Sequence, residues 1–170
     1  MTYTFVRTSE LIKARWEEFD FEAKRWNLSA ERMKMDRPHI VPLAKQVIEI
    51  LNELKKYDNG SGFVFPPDTV GRGEHMSNNT ILYALYRMGY RGRMCGHGFR
   101  GVASTALHEQ GYNHAHIELQ LAHSENDDDV SKAYNYAEYL PQRTAMMQEW
   151  ADYLDALKEK RVIQLPTKIA

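Results

Sequence analysis

Gly96-His97-Gly98-Phe99-Arg100-Gly101 stands just before an apolar series, Val102, Ala103, Ala106 and Leu107, that stops near Gly111. The series has helical spacing, and the glycine ends it. His97 and Arg100 are three residues apart, so they share one face at the start of this helix. Unpaired backbone N–H groups and the positive end of the dipole favour an anion there. An imidazole and a guanidinium beside them suit a phosphate. Gly96, Gly98 and Gly101 would let backbone approach the ligand closely. A surface histidine and arginine at chance spacing give the same six residues, so the reading depends on the rest of the chain.

On the C-terminal side, His114 to Ala122 reads as a short helix through Ile117, Leu119 and Leu121, ending at Leu121-Ala122-His123. His114 and His116 resemble a metal pair, but two histidines without a third ligand are weak evidence. The acidic run Glu125 to Asp129 caps the following helix or stays solvated. That helix carries Tyr134, Tyr136 and Tyr139. The last helix runs from Gln142 to about Lys158 and buries Met146, Trp150, Tyr153, Leu154 and Leu157. Val162 to Leu165 has the composition of an edge strand.

On the N-terminal side, Met1 to Val6 lead straight into Arg7-Thr8-Ser9-Glu10-Leu11, a helix reaching about Ala14 with Leu11, Ala14 and Ile12 toward the core. Glu10 lies one turn from Arg7 and can hold its side chain; as a surface pair that contact is worth under about 1 kcal/mol. Phe19 to Phe21, Lys24 to Trp26 and His39 to Leu43 read as three strands of a small antiparallel sheet, with Lys34 near a hairpin tip and Pro38 opening the third strand. Ala44 to Tyr57 is an amphipathic helix through Val47, Ile48, Leu51 and Leu54. Ser77 can cap a helix carrying Ile81, Leu82, Leu85 and Met88, stopped by Gly89. The fold expected is α+β, mainly helical with a small antiparallel three-stranded sheet.

The 170 residues suffice for one domain with a real core, and a 43% apolar, 26% charged composition is that of a globular chain. There is no run of membrane-spanning length and no signal peptide. Cys95 is the single cysteine and cannot form an internal disulfide, which fits a reducing, cytoplasmic setting. As a thiol nucleophile it lacks a clear partner. The net charge of −1 argues weakly against nucleic acid, but basic residues gather at Arg87, Arg91, Arg93 and Arg100 and at Arg32, Lys34 and Arg37.

Arg7, Lys34, His97, Arg100, His123 and Tyr134 stand where shaped elements begin or end. Two arginines can fork onto the non-bridging oxygens of a phosphate, which lysine cannot copy. A tyrosine hydroxyl can attack phosphorus, a lysine can protonate the leaving oxygen, and two histidines can donate to the pentacoordinate state or take the tyrosine proton.

The order Arg, Lys, His-x-x-Arg, His, Tyr resembles that of the tyrosine recombinases, or phage integrases. The satellite-phage type is especially similar. Its phrases stand here as Val6 to Leu11, Ala30 to Met35 with Arg37 to Leu43, Arg87 to Tyr90, His97 to Gly101, Gln120 to His123, Ala133 to Asn135 and Trp150 to Asp155. The resemblance spans Val6 to about Leu157. It implies that Arg7 and Arg100 hold the scissile phosphate and that Lys34 is the general acid toward the leaving 5′ oxygen. His97 assists as acid or base, His123 donates a hydrogen bond to the phosphate, and Tyr134 forms a 3′-phosphotyrosyl link. Glu10 orients the first arginine rather than doing chemistry. No metal and no cofactor are implied.

The implied partner is double-stranded DNA at attachment sites of a bacterial mobile element. A homotetramer on DNA is implied for the full-length protein, a monomer for the isolated domain, and a host DNA-bending protein is a candidate accessory. The expected organisation is a catalytic domain over residues 1–158 and a tail over 159–170, without the family's N-terminal DNA-binding domains. The acidic stretch before Tyr134 is slightly longer than the family pattern and is unfavourable beside phosphate, so it is expected to point away. Three readings compete with the recombinase: a type IB topoisomerase-like nicking and relaxing enzyme, an inactive DNA-binding remnant, and, more distantly, a metal nuclease.

Overall fold

Period-two alternation in Arg25-Trp26-Asn27-Leu28 sends Trp26 and Leu28 inward while Arg25 and Asn27 stay exposed. A computed structural model of the chain describes residues 1–67, 73–123 and 139–159. In chain order its elements are α1 (Thr8–Ile12), β1 (Phe19–Asp20), β2 (Arg25–Leu28), β3 (His39–Pro42), α2 (Lys45–Lys55), α3 (Asn79–Arg87), α4 (Gly98–Glu109), α5 (His114–Gln120) and α6 (Leu140–Lys158). The three strands form one antiparallel sheet in the order β1-β2-β3, with Trp26 opposite Val41 and Leu28 opposite His39. All four β3 residues are buried, because α6 lies over this strand.

The described residues carry two apolar clusters. Trp26, Leu28, Val41, Val47 and Leu51 centre the first, between the sheet and α2. Phe5, Ala103, Leu107, Ile117, Met146 and Trp150 centre the second, among α4, α5 and α6. Leu154 of α6 packs against both. The N-terminal segment runs along the seam: Phe5 enters the second cluster and its neighbour Val6 the first. Phe5 has φ of 38°, a left-handed conformation that costs a non-glycine residue about 1–2 kcal/mol. Arg7 is therefore delivered to the line where the two halves meet.

Burial departs from the expected pattern at two helix ends. Leu157 in the last turn of α6 and Met88 just past α3 are exposed. In α1, Ile12 is fully buried as expected, and Glu10 is buried beside it rather than lying on the surface. Of the predicted helix carrying Tyr134, Tyr136 and Tyr139, only Tyr139 is described, and it stands at the N-cap of α6 with φ of 52°; Tyr134, Tyr136, the acidic run Glu125 to Asp129 and the expected edge strand Val162 to Leu165 lie outside the described residues.

Candidate active site

The apolar run after Gly101 forms α4, and His97 takes its N-cap position. Gly96 is required by packing rather than by a ligand, since a Cβ there would sit 2.5 Å from Thr8 Oγ1 of α1. A Cβ on Gly101 would meet nothing within 4 Å, so that face of α4 is open. The close fit at Gly96 docks the start of α4 against the start of α1, and so sets Arg100 near Arg7.

Arg100 is only 4% exposed. Its Nη1 donates to the Phe5 carbonyl and its Nη2 to the Leu121 carbonyl, both at 2.6 Å. Arg7 Nη2 donates to the next carbonyl, that of Ala122, at 3.2 Å. Both guanidiniums thus converge on the turn that ends α5. Ala122 holds φ of 51° there, where glycine is the usual residue, and the His123 N–H donates back to the Glu118 carbonyl at 3.0 Å to close the helix. This tight turn aims two successive carbonyls at the arginines and puts His123 Nε2 3.3 Å from Arg100 Nη2.

Glu10 fixes Arg7 from the other side. Its carboxylate accepts from Arg7 Nη1 at 2.7 Å and from the Arg7 backbone N–H at 2.8 Å. At 3% exposure this is a buried carboxylate and not a surface partner. Burial, joined by repulsion from Arg7, pulls Arg100 down to about 10, while the acids Glu10 and Glu118 act against the shift. Each guanidinium carries five N–H donors, and the named carbonyl and carboxylate acceptors take two on each, leaving donors for a ligand's oxygens. Two cations this close gain from an oxyanion between them.

The structure adds Glu118 to these groups. Its Oε2 lies 2.7 Å from His123 Nδ1. A carboxylate only accepts, so Nδ1 carries the proton and the Nε2 lone pair faces the Arg100 N–H. A second proton on Nε2 would make an imidazolium held by Glu118 and able to donate to an incoming phosphate. Glu118 precedes His123 by five residues across a helix end, a spacing that no helical repeat flags.

Beneath the arginines lies a buried polar network. Arg143 is fully buried on α6 and donates from Nη2 to the Ile40 carbonyl at 2.5 Å and to Gln120 Oε1 at 2.9 Å. Gln120 Nε2 donates to the Thr4 carbonyl at 3.4 Å. His39 donates to the Gln120 backbone carbonyl, yet burial and the charges of Arg143, Arg7 and Arg100 hold it down to about 3, so it is neutral. The network joins β3, α5, α6 and the segment before Arg7. Its signal was readable: Arg143 stands on the same stripe of α6 as Met146 and Trp150, where a charge is out of place.

Lys34 and His97 are placed less tightly. Lys34 is exposed on the β2–β3 connection, between buried Met33 and exposed Met35. Arg32, grouped by sequence with a basic surface, is instead a structural tie: it donates to the Glu10 carbonyl at 3.0 Å and to the Lys13 carbonyl, and pairs with Glu18 at 2.9 Å. That tie fastens the Lys34 turn to the back of α1. His97 is exposed. Among the described residues neither Lys34 nor His97 forms a hydrogen bond or ion pair with the two arginines. Tyr134 lies outside the described residues.

The Phage integrase family matches residues 1–141. The chain belongs to the phage integrase family. It is 41% identical over 160 residues to prophage integrase IntA of Escherichia coli strain K12, covering 94% of this chain and 38% of that protein. It is 42% identical over 174 residues to the integrase of Enterobacteria phage P4, covering 94% and 39%. The chain therefore spans about two fifths of the length of these relatives. Among solved structures, the integrase from mycobacterium phage Brujita superposes with a TM-score of 0.64 at 20% identity, over 86% of this chain and 47% of that one. XerA recombinase gives 0.59 at 17% identity, over 95% and 55%. These two establish the fold.

Proposed function

We propose that this chain is the catalytic part of a site-specific DNA strand transferase that serves integration or excision of a bacterial mobile element. The observation that carries the reading is the convergence of Arg7, Arg100 and His123 on the Leu121–His123 turn in a chain of the integrase family. Arg7 and Arg100 bind the non-bridging oxygens of one DNA phosphate, and His123 donates to it. Tyr134 Oη attacks phosphorus as the P–O5′ bond breaks. The tyrosine proton passes to His97, and Lys34 protonates the departing 5′ oxygen. The 3′-phosphotyrosyl bond keeps the free energy of the broken ester, and a 5′ hydroxyl reverses the step to rejoin a strand. The two guanidiniums supply the charge that stabilises the pentacoordinate state.

Double-stranded attachment-site DNA is the substrate, and the working assembly is a homotetramer on DNA, with a host DNA-bending protein as an accessory. The isolated chain is a monomer in the cytoplasm. Among the described residues no helix is long and apolar enough to cross a membrane.

The test is a nicked suicide substrate whose cleaved end diffuses away and traps the covalent complex. Tyr134→Phe removes only the attacking oxygen and abolishes the trapped species, whereas Tyr136→Phe and Tyr139→Phe retain it. A DNA adduct mapped by peptide mass to Tyr136 or Tyr139 overturns the assignment.

A further inference from the structure

We propose that His108, His114 and Glu118 form a divalent transition-metal site at the α4–α5 corner, and that it shares its carboxylate with His123. Gly111 turns the chain at φ of 77°, and Asn113 caps α5 by accepting from the Ala115 N–H at 2.9 Å. The turn folds α5 back so that His114 and Glu118, four residues apart on one face, meet His108 from the last turns of α4. One ligand atom from each of the three lies within 4.8 Å of the others.

The histidine of α4 is prepared for the task. His108 Nδ1 lies 2.8 Å from the Ser104 carbonyl, which can only accept, so the proton is on Nδ1 and the Nε2 lone pair points outward. That Nε2 is 2.8 Å from His114 Nδ1. Two imidazoles and a carboxylate are a zinc set with an open fourth position, and imidazole selects zinc, copper or nickel over magnesium or calcium. Ligand bonds of about 2.0–2.1 Å at tetrahedral angles would open that pair of nitrogens to about 3.3 Å, a small side-chain rotation. The His114–His116 pair suggested by sequence is divided: His116 packs on Tyr139, with ring centroids 4.8 Å apart.

Glu118 gives the site a consequence, which rests on the role assigned to His123 above. Its Oε2 is the acceptor that fixes His123 Nδ1. A metal drawing on this carboxylate weakens that hold, so loading disturbs the orientation of His123 and slows strand cleavage.

Calorimetric titration of the chelator-treated chain with zinc chloride should show one zinc per chain. His108→Gln and His114→Gln should each weaken it at least tenfold, and Cys95→Ser should leave it unchanged. Circular dichroism verifies that the variants are folded. Zinc affinity within twofold of the parent in the double glutamine variant overturns the site. Long-range 15N–1H spectra of the His123 ring report the coupling without DNA: its nitrogen resonances should shift on zinc addition in the parent and not in the double variant. Unshifted resonances at saturating zinc overturn the coupling. Failure of the strand-transfer reading would show separately, as absence of a trapped DNA adduct with zinc binding intact.

Discussion

Acid should unfold this protein through His39. The imidazole is 6% exposed, donates to the Gln120 backbone carbonyl and faces Arg143, Arg7 and Arg100, so the native state holds it neutral, down to about 3 against an ordinary 6.5. The unfolded chain takes up that proton near 6.5 and the native chain does not. His39's contribution is therefore fully present above pH 6.5 and is lost progressively as pH falls toward 3. Within that window the loss is about 1.4 kcal/mol per pH unit, which gives about 2 kcal/mol between pH 7 and pH 5. Urea unfolding at pH 7, 6 and 5 measures it. His39→Gln keeps an N–H donor for the Gln120 carbonyl and cannot take a proton, so its stability should fall by about 2 kcal/mol less over the same interval. The remaining histidines are common to both proteins and cancel in the difference. Equal losses in parent and variant would refute the account of a neutral, buried His39.

Arg143→Met fills similar volume but leaves the Ile40 carbonyl and Gln120 Oε1 without their donor. Two buried acceptors at about 1–3 kcal/mol each predict a loss of about 2–6 kcal/mol, read from the urea midpoint. Lys34→Ala should slow strand cleavage by about 10²–10⁴-fold, as removal of a general acid does. A substrate with sulfur at the bridging 5′ position, whose thiolate departs without a proton, should restore the rate; no recovery would exclude Lys34 as the acid.

Relations carried by short spans of chain were open to reading. The spacing after Gly101 sets α4, and the alternation at Trp26 and Leu28 sets β2 within the small sheet. The arginine of His97-x-x-Arg100, read as an anion ligand, does lie beside Arg7, through the shared α5 turn. Family membership was equally legible, because the motif phrases follow one another in order. These features survive in one dimension since backbone periodicity and turn chemistry act over a few residues.

The settings of the side chains needed the folded molecule. The spacing of Glu10 and Arg7 allows the one to hold the other, but only closure of α1 buries that carboxylate. Arg32 looked like a solvated cation until it met the carbonyls of Glu10 and Lys13. Glu118 had no visible role until the end of α5 curled back and brought His123 to its carboxylate. Arg143 sits 103 residues from Ile40, and Arg7 115 residues from Ala122. A buried polar group must find a partner wherever the chain supplies one, because leaving it unpaired away from water costs more than a hydrogen bond returns. Apolar faces are thus written in local spacing, whereas the partner of a buried charge is chosen only when distant segments close around it and exclude solvent.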